Sequence, residues 1–136
     1  MKIVFFAFLL FCFFRSEPAT AQDVRDASGK LEGRWNNDEY RNSSGKLVYR
    51  VNNDGSVRSA SGKLLLRVSN NEFRNSSGKL LGRLKGDDVR DSSGKLLGRI
   101  SDKGDVRNSS GKLLGRSSGN SKHKTAVLFY FKDKIE

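Results

Sequence analysis

Sulfur and aromatic rings are scarce in this chain, and most of them stand where they build no core. The sole cysteine, Cys12, and six of the nine phenylalanines fall within the first 21 residues. Residues 1–21 read as a secretory signal peptide: Met1 and Lys2 give a positive start, Ile3 to Phe14 is an unbroken apolar run of 12, and Ala19-Thr20-Ala21 is a small-x-small cleavage site. That run, closed by Arg15, Glu17 and Pro18, is shorter than the roughly 20 residues a membrane-spanning helix needs. Phe11 precedes Cys12 where a lipid-attachment site wants a small residue. The chain expected after cleavage has no cysteine, which excludes disulfides, a thiol nucleophile and a cysteine metal site. No membrane-spanning segment is expected in it either. It keeps Phe73, Phe129 and Phe131 beside Trp35 and three tyrosines, so its core must be thin.

Groups for acid-base chemistry are equally few. His123 is the only histidine and lies in a lysine-flanked connector, where a surface role is expected. Asp54-Gly55 and Gly86-Asp87-Asp88 lack the carboxylate ladder and terminal Glu of a calcium loop. The repeated serines have turn-forming work and no evident base beside them, so nucleophilic catalysis has no support. The expectation is a non-enzymatic protein with no catalytic residue, no metal site and no cofactor.

What the chain has is repetition. Val106 to Arg116 reads Val-Arg-Asn-Ser-Ser-Gly-Lys-Leu-Leu-Gly-Arg, and Val89 to Arg99 and Phe73 to Arg83 each match it at all but one position. Looser copies begin at Val24, Tyr40 and Val57, so a Ser-Gly-Lys core recurs at Ser28, Ser44, Ser61, Ser77, Ser93 and Ser110, with spacings of 16, 17, 16, 16 and 17. A period that short fits one two-stranded unit that buries its apolar side chains only against its neighbours.

The unit carries its own folding instructions. In Asn42-Ser43-Ser44-Gly45-Lys46, Asn or its Asp equivalent opens a type I turn, Ser fills it, and Gly takes the left-handed position. This is a three-residue hairpin loop with a bulge at the glycine, and it sets Asp26, Asn42, Asn75, Asp91 and Asn108 opposite Lys30, Lys46, Lys79, Lys95 and Lys112. Each unit then runs through a short strand such as Leu96 to Ile100 into a second turn. An inserted residue in a strand would turn every later side chain to the other face, so the variation from 16 to 17 residues belongs in that second turn, at Asp54-Gly55 and Lys103-Gly104.

Simple alternation sends Leu96, Gly98 and Ile100 to one face and Lys95, Leu97 and Arg99 to the other, so neither face is cleanly apolar. The pattern suits short hairpins around an axis, with Gly33, Gly82, Gly98 and Gly115 permitting close approach. The six turns bracket five hairpins from Lys30 through Gly111, which favours a five-fold closed ring without free edges. After Arg116 the pattern stops. The repeat domain is placed at 22–119 and a connector with a C-terminal strand at 120–136, where the apolar run Ala126 to Phe131 reads as a buried strand or plug capping the ring. An exposed adhesive strand is the alternative.

The Val-Arg-Asx-Ser-Ser-Gly-Lys-Leu-Leu-Gly-Arg-Ile text, behind a signal peptide and ahead of Thr125 to Phe131, resembles the bacterial five-fold β-flower proteins over essentially the whole mature chain. That resemblance implies an all-β radial array of five hairpins in an exported protein, with no assigned activity and no catalytic residues to carry over. Trp35, Tyr49 and Leu66 replace smaller or aliphatic residues of that pattern, which implies a less regular ring in the first three hairpins. The tyrosine-aspartate repeats of large secreted toxins share a Gly-Arg/Lys-Leu turn but have a Tyr-Asp pair and a longer period that are missing here.

Charge is the remaining signal. The formal net charge is +11, with 26 basic and 15 acidic residues. Losing Lys2, Arg15 and Glu17 with the leader removes two positives and one negative and leaves +10. Arg25, Arg41, Arg58, Arg74, Arg90 and Arg107 form one row, Arg34, Arg50, Arg67, Arg83, Arg99 and Arg116 a second, and the Ser-Gly-Lys lysines a third, together 18 of the 26 basic residues. In a ring these rows become circles of like charge, and guanidinium forks suit phosphate, sulfate or carboxylate groups. They are candidate anion-binding residues for an anionic envelope glycan or other polyanion. The competing expectation is structural, each arginine packing its stem and pairing with Asp or Asn of the next unit. Nucleic acid fits less well, because single-strand binders interleave exposed aromatics with the basic groove. An exported chain would sit in the periplasm, at the cell surface or outside the cell.

Overall fold

The computed structural model describes residues 22–134, so the expected signal peptide lies outside the described residues. Twelve antiparallel strands run in sequence order: β1 Gln22–Asp26, β2 Leu31–Asn36, β3 Glu39–Asn42, β4 Leu47–Val51, β5 Ser56–Ser59, β6 Leu64–Ser69, β7 Glu72–Asn75, β8 Leu80–Lys85, β9 Asp88–Asp91, β10 Leu96–Ile100, β11 Asp105–Asn108 and β12 Leu113–Ser117. Each pairs with its chain neighbours, and β1 pairs with β12 to close the barrel. Closure leaves no sheet edge for another chain to extend.

The six Ser-Gly-Lys loops form as the sequence predicts. In the loop between β7 and β8, the Asn75 amide donates to the Lys79 carbonyl at 2.9 Å and the Gly78 amide to the Asn75 carbonyl at 3.0 Å, with Gly78 at φ +93°. The Asn75 side-chain oxygen accepts from the amide and hydroxyl of Ser77 and the amide of Lys79. The Asx residue facing each lysine therefore bonds the lysine's amide. Length variation sits in the opposite turns, as expected. The longer ones place Gly55 and Gly104 at positive φ, and the shorter ones use Asn37, Asn70, Asn71 and Gly86.

The mixed hairpin faces resolve through a register shift. Arg25 pairs with Leu31 while Val24 pairs with Gly33, and the other five Ser-Gly-Lys hairpins shift in the same way. One residue per even strand is thus an unpaired bulge. The bulge turns the second leucine of the Lys-Leu-Leu text inward: Leu81 is buried, and Leu97 and Leu114 pack on the core. Val24, Tyr40, Val57, Phe73, Val89 and Val106, one per odd strand, are all buried.

Two expectations are corrected. The count of five hairpins omitted β1 and β12, which pair with each other and make a twelve-stranded ring. The expected C-terminal strand is helical: α1 (Lys122–Ala126) continues through a π-helical turn at Val127–Phe131 and a 3-10 turn at Lys132–Lys134. The reason is hydrogen bonding. Inside a barrel whose strands are all paired, a thirteenth strand would find no partner for its amides and carbonyls, whereas a helix satisfies its own. Ala126, Val127, Leu128 and Phe131 are buried, and Phe131 stacks on Phe73 at 4.5 Å between ring centroids. Among the described residues no helix is long and apolar enough to cross a membrane.

Candidate functional site

The two arginine rows lie on the outer wall of the barrel. First-row arginines sit on the odd strands and second-row arginines on the even ones, and none of the twelve is buried. Strand register sets them against each other: Arg34 faces Arg41, Arg50 faces Arg58, Arg67 faces Arg74, Arg83 faces Arg90, Arg99 faces Arg107, and Arg116 faces Arg25 across the closing seam. The twelve therefore form one continuous belt. Like charges directly opposite one another are unfavourable, so something must offset them.

Carboxylates at the starts of the odd strands do so. Asp23 accepts from Arg25 Nη2 at 3.0 Å and from Arg34 Nε at 2.7 Å. Glu39 bridges Arg41 and Arg50, Glu72 bridges Arg74 and Arg83, and Asp88 bridges Arg90 and Arg99 in the same way. Asp105 takes Arg116 at 3.0 Å. Each partner belongs to the arginine's own hairpin, which corrects the expected pairing with Asp or Asn of the next unit: the acid stands directly across from the second-row arginine on the adjoining strand. The hydrogen bond from Arg34 holds the Asp23 carboxyl below the usual carboxylate range. Arg50 then Arg41 act likewise on Glu39, Arg74 then Arg83 on Glu72, and Arg99 on Asp88. Solvent screens exposed pairs of this kind heavily, so their role is to hold geometry more than to supply stability.

The first-row guanidiniums have a second anchor. In all six units Nη1 donates to the carbonyl of the turn glycine, from Arg25 with Gly29 at 2.9 Å to Arg107 with Gly111 at 2.9 Å. The five acids were not singled out by the sequence reading. Their signal was available, because an acid stands two residues before the first-row arginine in every unit except the third, which has Ser56.

The helix locks one end of the barrel. Lys122 pairs with Asp87 and, at 2.7 Å, with Asp102. His123 Nε2 lies 2.7 Å from the Asn71 side-chain oxygen, and Lys124 donates to the Asn37 carbonyl at 2.7 Å and sits over the Trp35 ring. Four of the five turns at that end are thus held. The turn at residues 52–55 is not, and beside it opens a cleft of about 370 Å³ lined by Val51, Asn53, Val68, Asn70, His123 and Lys124 among others. At the Ser-Gly-Lys end a second cavity of about 490 Å³ is bordered by Glu32, Tyr40, Tyr49 and Lys132. Burial raises the Tyr40 hydroxyl to about 12. Among the described residues no group of three or more His, Cys, Asp or Glu side chains could hold a metal ion.

A family model described as 5-fold beta-flower protein matches residues 21–132. No curated protein and no solved structure matches the chain.

Proposed function

The chain belongs to the 5-fold beta-flower protein family, and from that premise we propose that it is an exported, non-enzymatic structural or binding module of the cell envelope. The observation that carries this reading is the acid-to-arginine bridging on the barrel wall, where one carboxylate holds two guanidiniums of its own hairpin. Such arginines are spread around an outer surface and do not converge on a pocket as catalytic groups must. Cell fractionation with a tagged full-length chain tests the location: recovery in the cytoplasm at full length would overturn the export reading.

A second reading, a polyanion or acidic-glycan binder, is favoured by the belt's charge excess. Twelve arginines face five bridging or pairing carboxylates, and the ring lysines add to the same sign. Retention on heparin or lipopolysaccharide columns, eluted with rising salt, tests it. Elution at the low salt of weak cation exchange, where exposed charges are already screened, removes the polyanion reading and leaves the structural one.

A further inference from the structure

The third hairpin, β5–β6, departs from the rule of the belt. Ser56 stands where the other five units place Asp23, Glu39, Glu72, Asp88 and Asp105, and it faces Arg67 in the same register. Arg58 keeps its 2.9 Å bond to the Gly62 carbonyl, so its guanidinium is anchored as in every other unit. Yet among the described residues neither Arg58 nor Arg67 has a carboxylate within ion-pair distance, whereas Asp23 and Asp88 stand 2.7 to 3.2 Å from their two arginines. Asp54 on the preceding turn is near enough to feel the charge of both arginines, but it forms no ion pair with either, and its carboxylate accepts from the Ser56 amide at 3.0 Å. The flanking arginines are committed elsewhere, Arg50 to Glu39 and Arg74 to Glu72.

We propose that Arg58 and Arg67 form a carboxylate-binding site for an acidic, uronate-type glycan, with the sugar's carboxylate taking the place that an aspartate or glutamate fills in the other units. The four bridged hairpins supply the template: two guanidiniums, the first-row one anchored on its turn glycine, donate to one carboxylate, one oxygen accepting from Nη2 and the other from Nε. This fork-to-carboxylate geometry is both stronger and more directional than a point charge. The choice of a sugar comes from what adjoins Arg67. A groove of about 410 Å³ runs from it past Ser69, Asn70, Asn75 and Ser77 to Arg74 and to Glu72, whose carboxylate is already paired with Arg74 and Arg83. It offers hydroxyl and amide groups and no apolar or aromatic side chain, a surface that suits a ligand carrying hydroxyls.

The assignment rests on the acidic-glycan reading above, and the test separates the two. Calorimetric titration of the full chain at pH 7 and low salt uses tetragalacturonate, its fully methyl-esterified form and a tetraglutamate peptide as probes. Wild type should bind tetragalacturonate and neither of the others. Ser56→Asp, which supplies the internal carboxylate, and Arg67→Gln should each weaken binding by about tenfold or more, while Arg99→Gln in the fifth hairpin, whose partner Asp88 lies outside the groove, should change it less than about threefold. Circular dichroism of each variant confirms folding, and Asp105 already occupies the register position that Ser56→Asp recreates. Equal losses in Arg67→Gln and Arg99→Gln overturn the site and leave the polyanion reading standing. Absent tetragalacturonate binding with salt-resistant heparin retention does the same. Absence of both removes the reading and the site together, and binding of tetraglutamate as tight as tetragalacturonate overturns the glycan as ligand.

Discussion

The ring of Phe131 lies so close to Gly82 that a Cβ on that glycine would stand 2.7 Å from the ring edge. Tyr130 meets Gly98 at 2.8 Å and Phe129 meets Gly115 at 2.8 Å on the same measure. Three consecutive helix residues thus seat on three successive glycine-bearing hairpins. In the second and third hairpins the barrel fills the corresponding position itself, with Tyr49 and Leu66. Gly82, Gly98 and Gly115 are thus seats for the rings of the plug, whereas Gly33 is covered by Tyr40 of the adjoining strand.

Gly82→Ala should therefore destabilise by about 1–3 kcal/mol, the range for overpacking, because the added methyl meets both Phe131 and the Arg90 carbonyl. Gly78→Ala isolates a different cause: nothing lies within 4 Å, and only the φ of +93° opposes the side chain. Urea unfolding of both variants checks the account. A Gly82→Ala protein as stable as wild type would refute the seating.

Phe131→Ala removes a fully buried ring that stacks on Phe73, and a loss of about 3–5 kcal/mol is expected. Against a whole-domain stability of about 5–15 kcal/mol, that is a large share. A chain ending at Asn120 loses Ala126, Val127, Leu128 and Phe131 from the core together. It should lack the near-UV circular dichroism of a packed interior, and a native-like spectrum from it would show that the barrel stands without its plug.

The repeat was legible because turn chemistry is local. Asx, Gly and Lys at fixed offsets decide each loop, and an extra residue can be absorbed only where no side-chain alternation follows. Three things were not legible. The bulge at residues such as Leu97 breaks simple alternation, so the two leucines after each lysine could not be assigned to faces. The Ala126–Phe131 run has strand-like composition, and only the closure of β1 on β12 deprives it of a partner and makes it helical. The role of Asp23, Glu39, Glu72 and Asp88 needed strand register, since each reaches an arginine 11 residues away as well as one two residues away.

Hairpin three also carries the weakest loop. Ser59 replaces the Asx residue, and its hydroxyl reaches the Lys63 amide at 3.2 Å and Ser61 at 2.9 Å. Asn75 in the same position accepts three bonds. Ser59→Asn should stabilise the protein by about 1 kcal/mol, the net worth of a regained hydrogen bond, seen as a higher urea midpoint with unchanged slope. A lower midpoint would show that serine is required there for another reason.

Acid should lower the stability of the protein in two steps. Burial lowers the pKa of His123 from 6.5, so the folded state prefers the neutral ring. Its contribution is whole above 6.5 and declines as pH falls from there towards the folded value. The carboxyls of Asp23, Glu39, Glu72 and Asp88 are held below 3.8 or 4.5 by their arginines. Their contribution is present above those values and is lost as pH drops through the lowered ones, each small because solvent screens the pair. Melting temperature should fall first below about pH 6.5 and again below about pH 4.5. His123→Gln, which leaves an amide facing Asn71, should abolish the first step and keep the second. A wild-type melting temperature that is flat from pH 7.5 to 5.5 would refute the role given to His123.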